Sequence, residues 1–471
     1  DNNIVNVAIP TIQRNLHLSV SGLEWVVSSY LLTLAGLLLV GGRLADVYGR
    51  RRLFLLGLGV FTLSSLAAGL AGSAEVLIAS RAVQGVGAAL LMPATLAIIV
   101  AAFTDIRERT MAIGIWAAAG ALALAGGPAL GGVISQHFRW GWIFLINVPL
   151  GVITFAVALR DVRESRESAA VRRLDPPGLV TSAVGLFALT YALIEGNVRG
   201  WTSAVILGAF ALAAVATAAF LAIESRSAAP MVDLTMFRRR EFSGGIGTMM
   251  IWAFGILGIY FFTSLYLQEV LGFSPVKAGL AFVPMALCVA VFASLAPRIE
   301  PWAGAHRAVA AGMLLMVAGL VLFARLGLDV TYPALLPGFM LFGAGAGLMN
   351  VPLTNATMAA TPAVRAGIAS ALLNASREVA GLLGITVIGA VLSTRRAAAL
   401  RSGADPVHAF LDGYHTGLLV TIVLMAAGVV VSYLTLRPRA GAARPTSEIT
   451  AAGELDAVGE SLGELVVPDP R

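Results

Sequence analysis

Long apolar runs, separated by short breaks rich in charged or turn-forming residues, set the pattern of this chain almost from end to end. A helix needs roughly 20 mainly apolar residues to cross a bilayer. Between the breaks, the runs predict a partial span over residues 1–14 and full spans near 24–42, 53–72, 76–101, 110–135, 142–159 and 178–197. Further spans are predicted near 202–223, 242–268, 276–297, 306–325, 332–358, 366–393 and 413–436. The expected fold is therefore an all-α polytopic membrane protein of fourteen spans, the first truncated. Because the chain opens at Asp1, inside an apolar stretch and without methionine, we expect the natural protein to begin further upstream.

Composition strengthens this picture. Of 471 residues 58% are hydrophobic and 12% charged, against roughly 45–50% and about 25% in soluble domains. The 51 glycines lie within the apolar runs, where small residues let membrane helices approach closely. The single cysteine, Cys288, has no internal disulfide partner and is expected to serve packing. Lys277 is the one lysine, and its setting Pro275-Val276-Lys277-Ala278 excludes a phosphate-binding P-loop, which needs lysine after glycine. The net charge of +6 comes with no basic helix or aromatic-basic platform, so no nucleic-acid partner is expected.

The arginines instead report orientation, since short cytoplasmic loops retain basic residues. If the loop with Arg43, Arg50, Arg51 and Arg52 is cytoplasmic, so are the segment with Arg160, Arg163, Arg166, Arg172 and Arg173 and the cluster Arg238-Arg239-Arg240. Arg395, Arg396 and Arg401 fall on the other side, against the trend. Both termini are then cytoplasmic, in a multi-pass protein of the inner (plasma) membrane. The segment after Arg437 is acidic and poor in apolar residues, the composition of a disordered tail. No loop is long enough to hold a soluble catalytic domain.

The chain also repeats itself. With one constant offset, Ser19 meets Ser274, Arg43 meets Arg298, Gly49 meets Gly304 and Arg52 meets Arg307. Such internal repeats are common in transporters. They predict an N-terminal six-helix bundle over 1–160, a cytoplasmic loop over 161–177 and two inserted helices over 178–223. A cytoplasmic linker over 224–241, a C-terminal six-helix bundle over 242–436 and the tail 437–471 complete the organisation.

Several motifs stand out. The first cytoplasmic loop sets Asp46 among Gly42, Arg43, Gly49, Arg50 and Arg51; an acid between arginines, flanked by glycines that permit tight turns, can latch neighbouring helix ends. It resembles the signature loop of the major facilitator superfamily, with Val47 where a basic residue is usual; in the second half Pro301 replaces the acid. Arg81-Ala82-Val83-Gln84-Gly85-Val86-Gly87 is similar to that family's second motif, and an arginine inside a span is costly enough to imply a use. Gly114 followed by Gly126-Gly127-Pro128-Ala129-Leu130-Gly131-Gly132 resembles its antiporter motif, with Ala123 at a usual glycine. Pro128 removes a helix hydrogen bond while the glycines admit a neighbouring helix, a surface on which two halves can rock.

Asp1-Asn2-Asn3-Ile4-Val5-Asn6-Val7-Ala8-Ile9-Pro10, the run Trp140 to Pro149, the pair Glu195-Gly196 with Gly200-Trp201, and Gly367 through Asn374 to Gly384 resemble the 14-span drug:proton antiporters. The resemblance extends to about residue 436. It implies two pseudo-repeated bundles plus two inserted helices, and a secondary active exporter of drugs, antibiotics or other lipophilic molecules. It implies no cofactor beyond the proton as coupling ion, and it does not imply an enzyme.

For proton coupling, the first candidate is Asp1, about 15 residues or roughly 22 Å from the outer end of its helix; the resemblance places a proton-linked acid there, whereas a helix-capping acid is the plain alternative. Glu378 lies near mid-depth of its span and is read equally as a coupling acid or as half of a structural ion pair; neighbouring Arg377, about 100° around the helix, is expected to find a different partner. Arg81 is expected to tune a nearby acid, with an interfacial anchor as the alternative. Asp46 is assigned to gating. Glu24, Glu195 and Glu269, near span ends, are expected to be solvated rather than functional. Asn350, Asn355 and Asn374 are candidate cavity-lining residues, although membrane asparagines also join helices. Tyr260 and its aromatic neighbours could stack on a planar ligand, with packing the more ordinary role. The five histidines lie at loops or helix ends, and no metal-ligand cluster or catalytic triad is expected.

The expected partners are thus a lipophilic small molecule, protons and the bilayer, with the protein acting as a monomer. A dedicated exporter of one endogenous metabolite, such as a self-made antibiotic or siderophore, is the leading alternative. A non-transporting scaffold or sensor is a more distant one, disfavoured by the cost of Arg81 and Glu378 within the membrane.

Overall fold

Caps and prolines decide where the apolar runs become separate helices. The computed structural model describes residues 2–103, 105–165, 175–227, 230, 232, 234–328, 330–361 and 366–437, some side chains within the helices excepted. The first half contains α1 (Asn2–Leu16), α2 (Val20–Tyr48), α3 (Arg50–Leu70), α4 (Ala74–Ala102) and α5 (Ile106–His137). It closes with the short α6 (Trp142–Leu145) and α7 (Asn147–Asp161). Then come α8 (Pro176–Arg199) and α9 (Ala204–Glu224). The second half has α10 (Arg240–Leu265), α11 (Pro275–Ala281), α12 (Val283–Ala303), α13 (Ala305–Phe323), α14 (Tyr332–Ala359), α15 (Ala366–Arg401) and α16 (Pro406–Thr435).

Among the described residues, twelve stretches are long and apolar enough to cross a membrane, which makes this a multi-pass membrane protein. The 15-residue α1 is not among them, nor is α5. Two expected spans are interrupted. Proline has no N–H to bond the carbonyl four residues earlier, so Pro149 ends the continuity of α6 with α7 and Pro284 that of α11 with α12. At the end of α10 the helix widens into a π-turn over Tyr266–Val270.

Similar caps sit at positions that the sequence offset pairs. Ser19 caps α2 by accepting from the Gly22 N–H at 3.2 Å, and Ser274 caps α11 by accepting from the Lys277 N–H at 3.3 Å. Gly49, at φ 113°, both closes α2 and opens α3; Gly304, at φ 79°, does the same between α12 and α13. These backbones are open to glycine and strained for other residues.

Packing within each half follows the same plan. α4 lies against α2 and α3, and α14 lies against α12 and α13. Backbones meet where glycines face each other: a Cβ on Gly57 would come within 2.8 Å of the Gly87 carbonyl oxygen, and one on Gly312 within 2.7 Å of that of Gly345. Lipid offers side chains as apolar a setting as the protein does, so such close approach, rather than burial from water, holds these helices together. The halves meet at the end of the bundle carrying the α1–α2 and α15–α16 connections. There α5 packs on α11 and α2 on α15, while α8 covers both α2 and α15.

Candidate functional site

The latch loop turns on an acid that sequence reasoning passed over. Glu164, just after α7, accepts from the Arg51 N–H at 3.1 Å and lies 3.8 Å from the Arg52 Nε. The Ser165 carbonyl accepts from the Arg50 N–H at 3.0 Å, and the Arg51 guanidinium donates to the Leu159 carbonyl. A carboxylate at the start of α3 meets unpaired N–H groups and the positive end of the helix dipole. Gly49 makes the seat possible, for a Cβ there would fall 2.6 Å from the Glu164 carboxyl carbon. The available signal was an acid directly following a span, in Asp161-Val162-Arg163-Glu164. The side chains of Arg43 and Asp46 lie outside the described residues, as do Asp1 and the surroundings of Gly114. Gly42 faces Pro93 of α4.

Arg81 on α4 is fully buried, not an interfacial anchor. Its Nε donates to the Val26 carbonyl of α2 at 3.1 Å and its guanidinium to the Gln84 side chain at 2.6 Å. Gln84 in turn donates to the Ser65 hydroxyl of α3 at 2.8 Å. The guanidinium carbon lies 4.3 Å from the Tyr30 ring centre and 5.6 Å from that of Phe144, distances at which an aromatic face attracts a cation. Tyr30 also lies in the field of Glu378 from α15. Nothing in the sequence setting of Tyr30 marked it.

Glu378 is 8% exposed, and its partner corrects an expectation. Adjacent Arg377, expected to point elsewhere, reaches round the helix to donate to Glu378 Oε1 from both Nε (3.2 Å) and a terminal nitrogen (2.9 Å). The angular separation of neighbours fixes where side chains leave the helix, but arginine is long enough to bring its charge back.

In the antiporter motif, Pro128, Gly131 and Gly132 lie where α5 contacts its neighbours. A Cβ on Gly132 would meet the Val276 Cα at 2.9 Å, and Gly279 of α11 packs against the Pro128 carbonyl. Gly131 rests on Ile4 of α1, while Gly127 is partly exposed. Gln136 accepts from the Val276 N–H at 3.3 Å. From α10, Ser264 donates to the Asn6 carbonyl of α1 at 3.0 Å, and Gln268, just beyond α10, donates to the Val7 carbonyl at 2.9 Å. These contacts seal the two halves together at one end.

The remaining candidates are dispersed. Asn355 donates to Glu300 at 3.1 Å and Asn374 to the Ser370 carbonyl of its own helix at 2.9 Å, both near the surface; Asn350 is partly buried. Tyr260 is 7% exposed, its ring centre 4.3 Å from that of Phe282, and among the described residues its hydroxyl has no hydrogen-bond partner. Glu269 is exposed, as expected.

Glu24 is not solvated but 2% exposed. It lies on α2 against Gly389 of α15, where a Cβ would collide with its carboxylate. The cover comes from α8. Glu195 accepts from the Trp25 indole at 3.0 Å and from the Arg199 Nε at 3.3 Å, and Asn197 donates to the Ala390 carbonyl at 3.1 Å while accepting from the Thr394 hydroxyl at 2.8 Å.

Comparison with known proteins follows the same outline. Residues 1–385 match the family described as Major Facilitator Superfamily. The chain is similar to the Multidrug resistance protein Stp of Mycobacterium tuberculosis, 38% identical over 86% of this chain and 76% of that one. It is also similar to the Puromycin resistance protein pur8 of Streptomyces alboniger, 35% identical over 91% of this chain and 86% of that one. Among solved structures, a bacterial homologue of the human lysosomal transporter Spinster, in an inward-facing and unoccupied conformation, superposes with a TM-score of 0.64 at 16% identity, covering 93% of this chain and 94% of that one.

Proposed function

The chain belongs to the major facilitator superfamily, and from that membership we propose that it exports drugs, antibiotics or other lipophilic small molecules by alternating access, driven by protons moving inward. The observation that carries this reading is its identity, over most of its length, with proteins named for multidrug and puromycin resistance. No cofactor takes part; the proton is the coupling ion, and the monomer is the working unit.

In this reading the chain has fourteen spans with both termini cytoplasmic: a first bundle over 1–160, two inserted helices over 178–223 and a second bundle over 242–436, joined by loops at 161–177 and 224–241 and followed by the tail 437–471. The sealed end then faces outward. Closing and opening that end against the opposite one would move a central site between the two sides of the membrane. The glycine-rich face of α5 suits a contact that must part and re-form. Asp1 and Glu378 carry the coupled proton, Arg81 and Arg377 set the charge around them, and the loop of Asp46 and Glu164 governs the cytoplasmic gate. The single-compound name of the puromycin relative favours a second reading, a dedicated exporter of one metabolite.

The test is transport in proteoliposomes. An imposed pH gradient drives accumulation of a lipophilic dye, a protonophore abolishes it, and Asp1→Asn removes the driven part while equilibrium binding persists. Accumulation unaffected by the protonophore would refute proton coupling. A panel in which only one chemical class moves would select the dedicated exporter.

A further inference from the structure

Two observations meet at Glu24. It is almost completely buried, and among the described residues no cation or hydrogen-bond donor is recorded against its carboxylate. Its seat is the surface of Gly389, the one residue type that leaves room there. The neighbouring charges give no relief. From α8, Glu195 has the same sign and acts on Glu24 directly, its own charge being shared with Arg199 and the Trp25 indole; Tyr191 of the same helix faces the Trp25 ring. From α4, Arg81 is committed to Val26 and Gln84 and to the Tyr30 ring. From α15, Arg377 is paired with Glu378 more than two turns below Gly389, and Arg396 lies over Phe410. From α1, Arg14 donates to the Pro10 carbonyl. The charged residues of α3, Arg50, Arg51 and Arg52, start that helix at the opposite end of the bundle.

A carboxylate enclosed without a counter-charge is strongly unfavourable, whereas a carboxylic acid is tolerated there. The enclosure exists only while α2 and α15 are together, since the two helices belong to opposite halves. We propose that Glu24 is a proton-gated closure residue: its carboxylate takes a proton from the external solution while α2 and α15 are apart, and only the protonated acid lets them close. The proton forms the carboxyl O–H on closing and returns to water when the helices part, so Glu24 sets the conformational balance without being the coupled carrier. Glu195, brought by the inserted helix α8, strengthens the dependence by adding a like charge. This gives the two additional helices a task, that of roofing the gate acid. The inference rests on the reading above only for which end faces outward.

The experiment measures the gate itself. The full chain, with Cys288→Ala and spin labels on His17→Cys and Ser402→Cys, both exposed at the sealed end, is placed in lipid nanodiscs and the inter-label distance followed from mildly acidic to mildly basic pH. The unmodified gate shifts from a short to a long distance as pH rises. Glu24→Gln stays short throughout, and Glu24→Asp recovers the response. Glu269→Gln and Asp405→Asn, at exposed acids near the same end, leave it in place, which a general effect of acids at that end would not. Gly389→Ala, which crowds the carboxyl out of its seat, holds the long distance at every pH; it is the second route should Glu24→Gln fold poorly. An unchanged pH response in Glu24→Gln, or no response in the parent, overturns the proposal. A dye-transport failure in the parent with the gate response intact would count against the export reading and leave this one standing.

Discussion

Arg81 shows how a charge is accommodated inside a membrane bundle: a carbonyl, an amide side chain and an aromatic face are among the groups that hold the cation. A hydrogen bond to a charged group contributes about 1.5–3 kcal/mol, so Arg81→Met should destabilise the protein by about 3 kcal/mol through the unpaired Val26 and Gln84 groups. The check is the thermal unfolding midpoint in detergent, compared with Gln84→Leu, whose loss should be smaller. An unchanged midpoint in Arg81→Met would mean the network contributes little. The cost of this arginine was readable from its position in an apolar run. The importance of Glu24 was not, because its burial is conferred by α8 and α15, remote in sequence, while its own helix places it near an end where acids are ordinarily wet. Tyr30 was hidden for a similar reason, since an aromatic residue in a span is indistinguishable from packing until its neighbours are known.

Helix ends carry the next set of consequences. Gly49 closes one helix and opens the next at φ 113°, a conformation that costs other residues about 1–3 kcal/mol. Gly49→Ala should therefore slow dye transport several-fold and lower the unfolding midpoint, as the added Cβ also displaces Glu164. Glu164→Gln, which keeps the shape but removes the charge, should slow transport with stability nearly intact. Transport at the parental rate in both variants would argue against this turn as a gate element. Asp405 illustrates the same N-terminal chemistry at α16, where its carboxylate accepts from the His408 and Val407 N–H groups and meets the His408 ring. These bonds, the His408 backbone N–H first, hold its carboxyl below the ordinary carboxylate range. Its contribution is therefore present above the unfolded value and lost only as pH falls through the lower folded one. A gate response between mildly acidic and mildly basic pH consequently does not originate at Asp405, and Asp405→Asn should leave that response unchanged. The apolar runs revealed nearly every helix, and the offset that pairs Ser19 with Ser274 picked out two helix caps; the breaks at Pro149 and Pro284 passed unnoticed because an apolar run has the same hydropathy whether or not one N–H is missing.

For the molecule as a whole, the decisive feature is that the halves touch through surfaces with little side chain between them. Where Gly132 faces Val276 and Gly279 faces Pro128, closeness depends on the absence of a Cβ, so the seal combines many small contacts and few strong bonds. A seal built from close backbone approach is stable when shut yet parts at a modest cost, which is what alternation between two states of similar energy demands. The antiporter motif showed in sequence that α5 is built for close approach, but the partner surface on α11 carries no such signature and emerged only from the packing. If this contact opens in every cycle, joining it covalently must stop transport. Gln136→Cys paired with Val276→Cys, in a Cys288→Ala background, lies across the Gln136–Val276 hydrogen bond and should form a disulfide under mild oxidant. Dye accumulation should then fall to the level of empty liposomes and return on adding reductant, while each single cysteine variant transports with or without oxidant. Accumulation that continues with the bond formed would mean that this end stays shut during the cycle, and that the substrate leaves by another route.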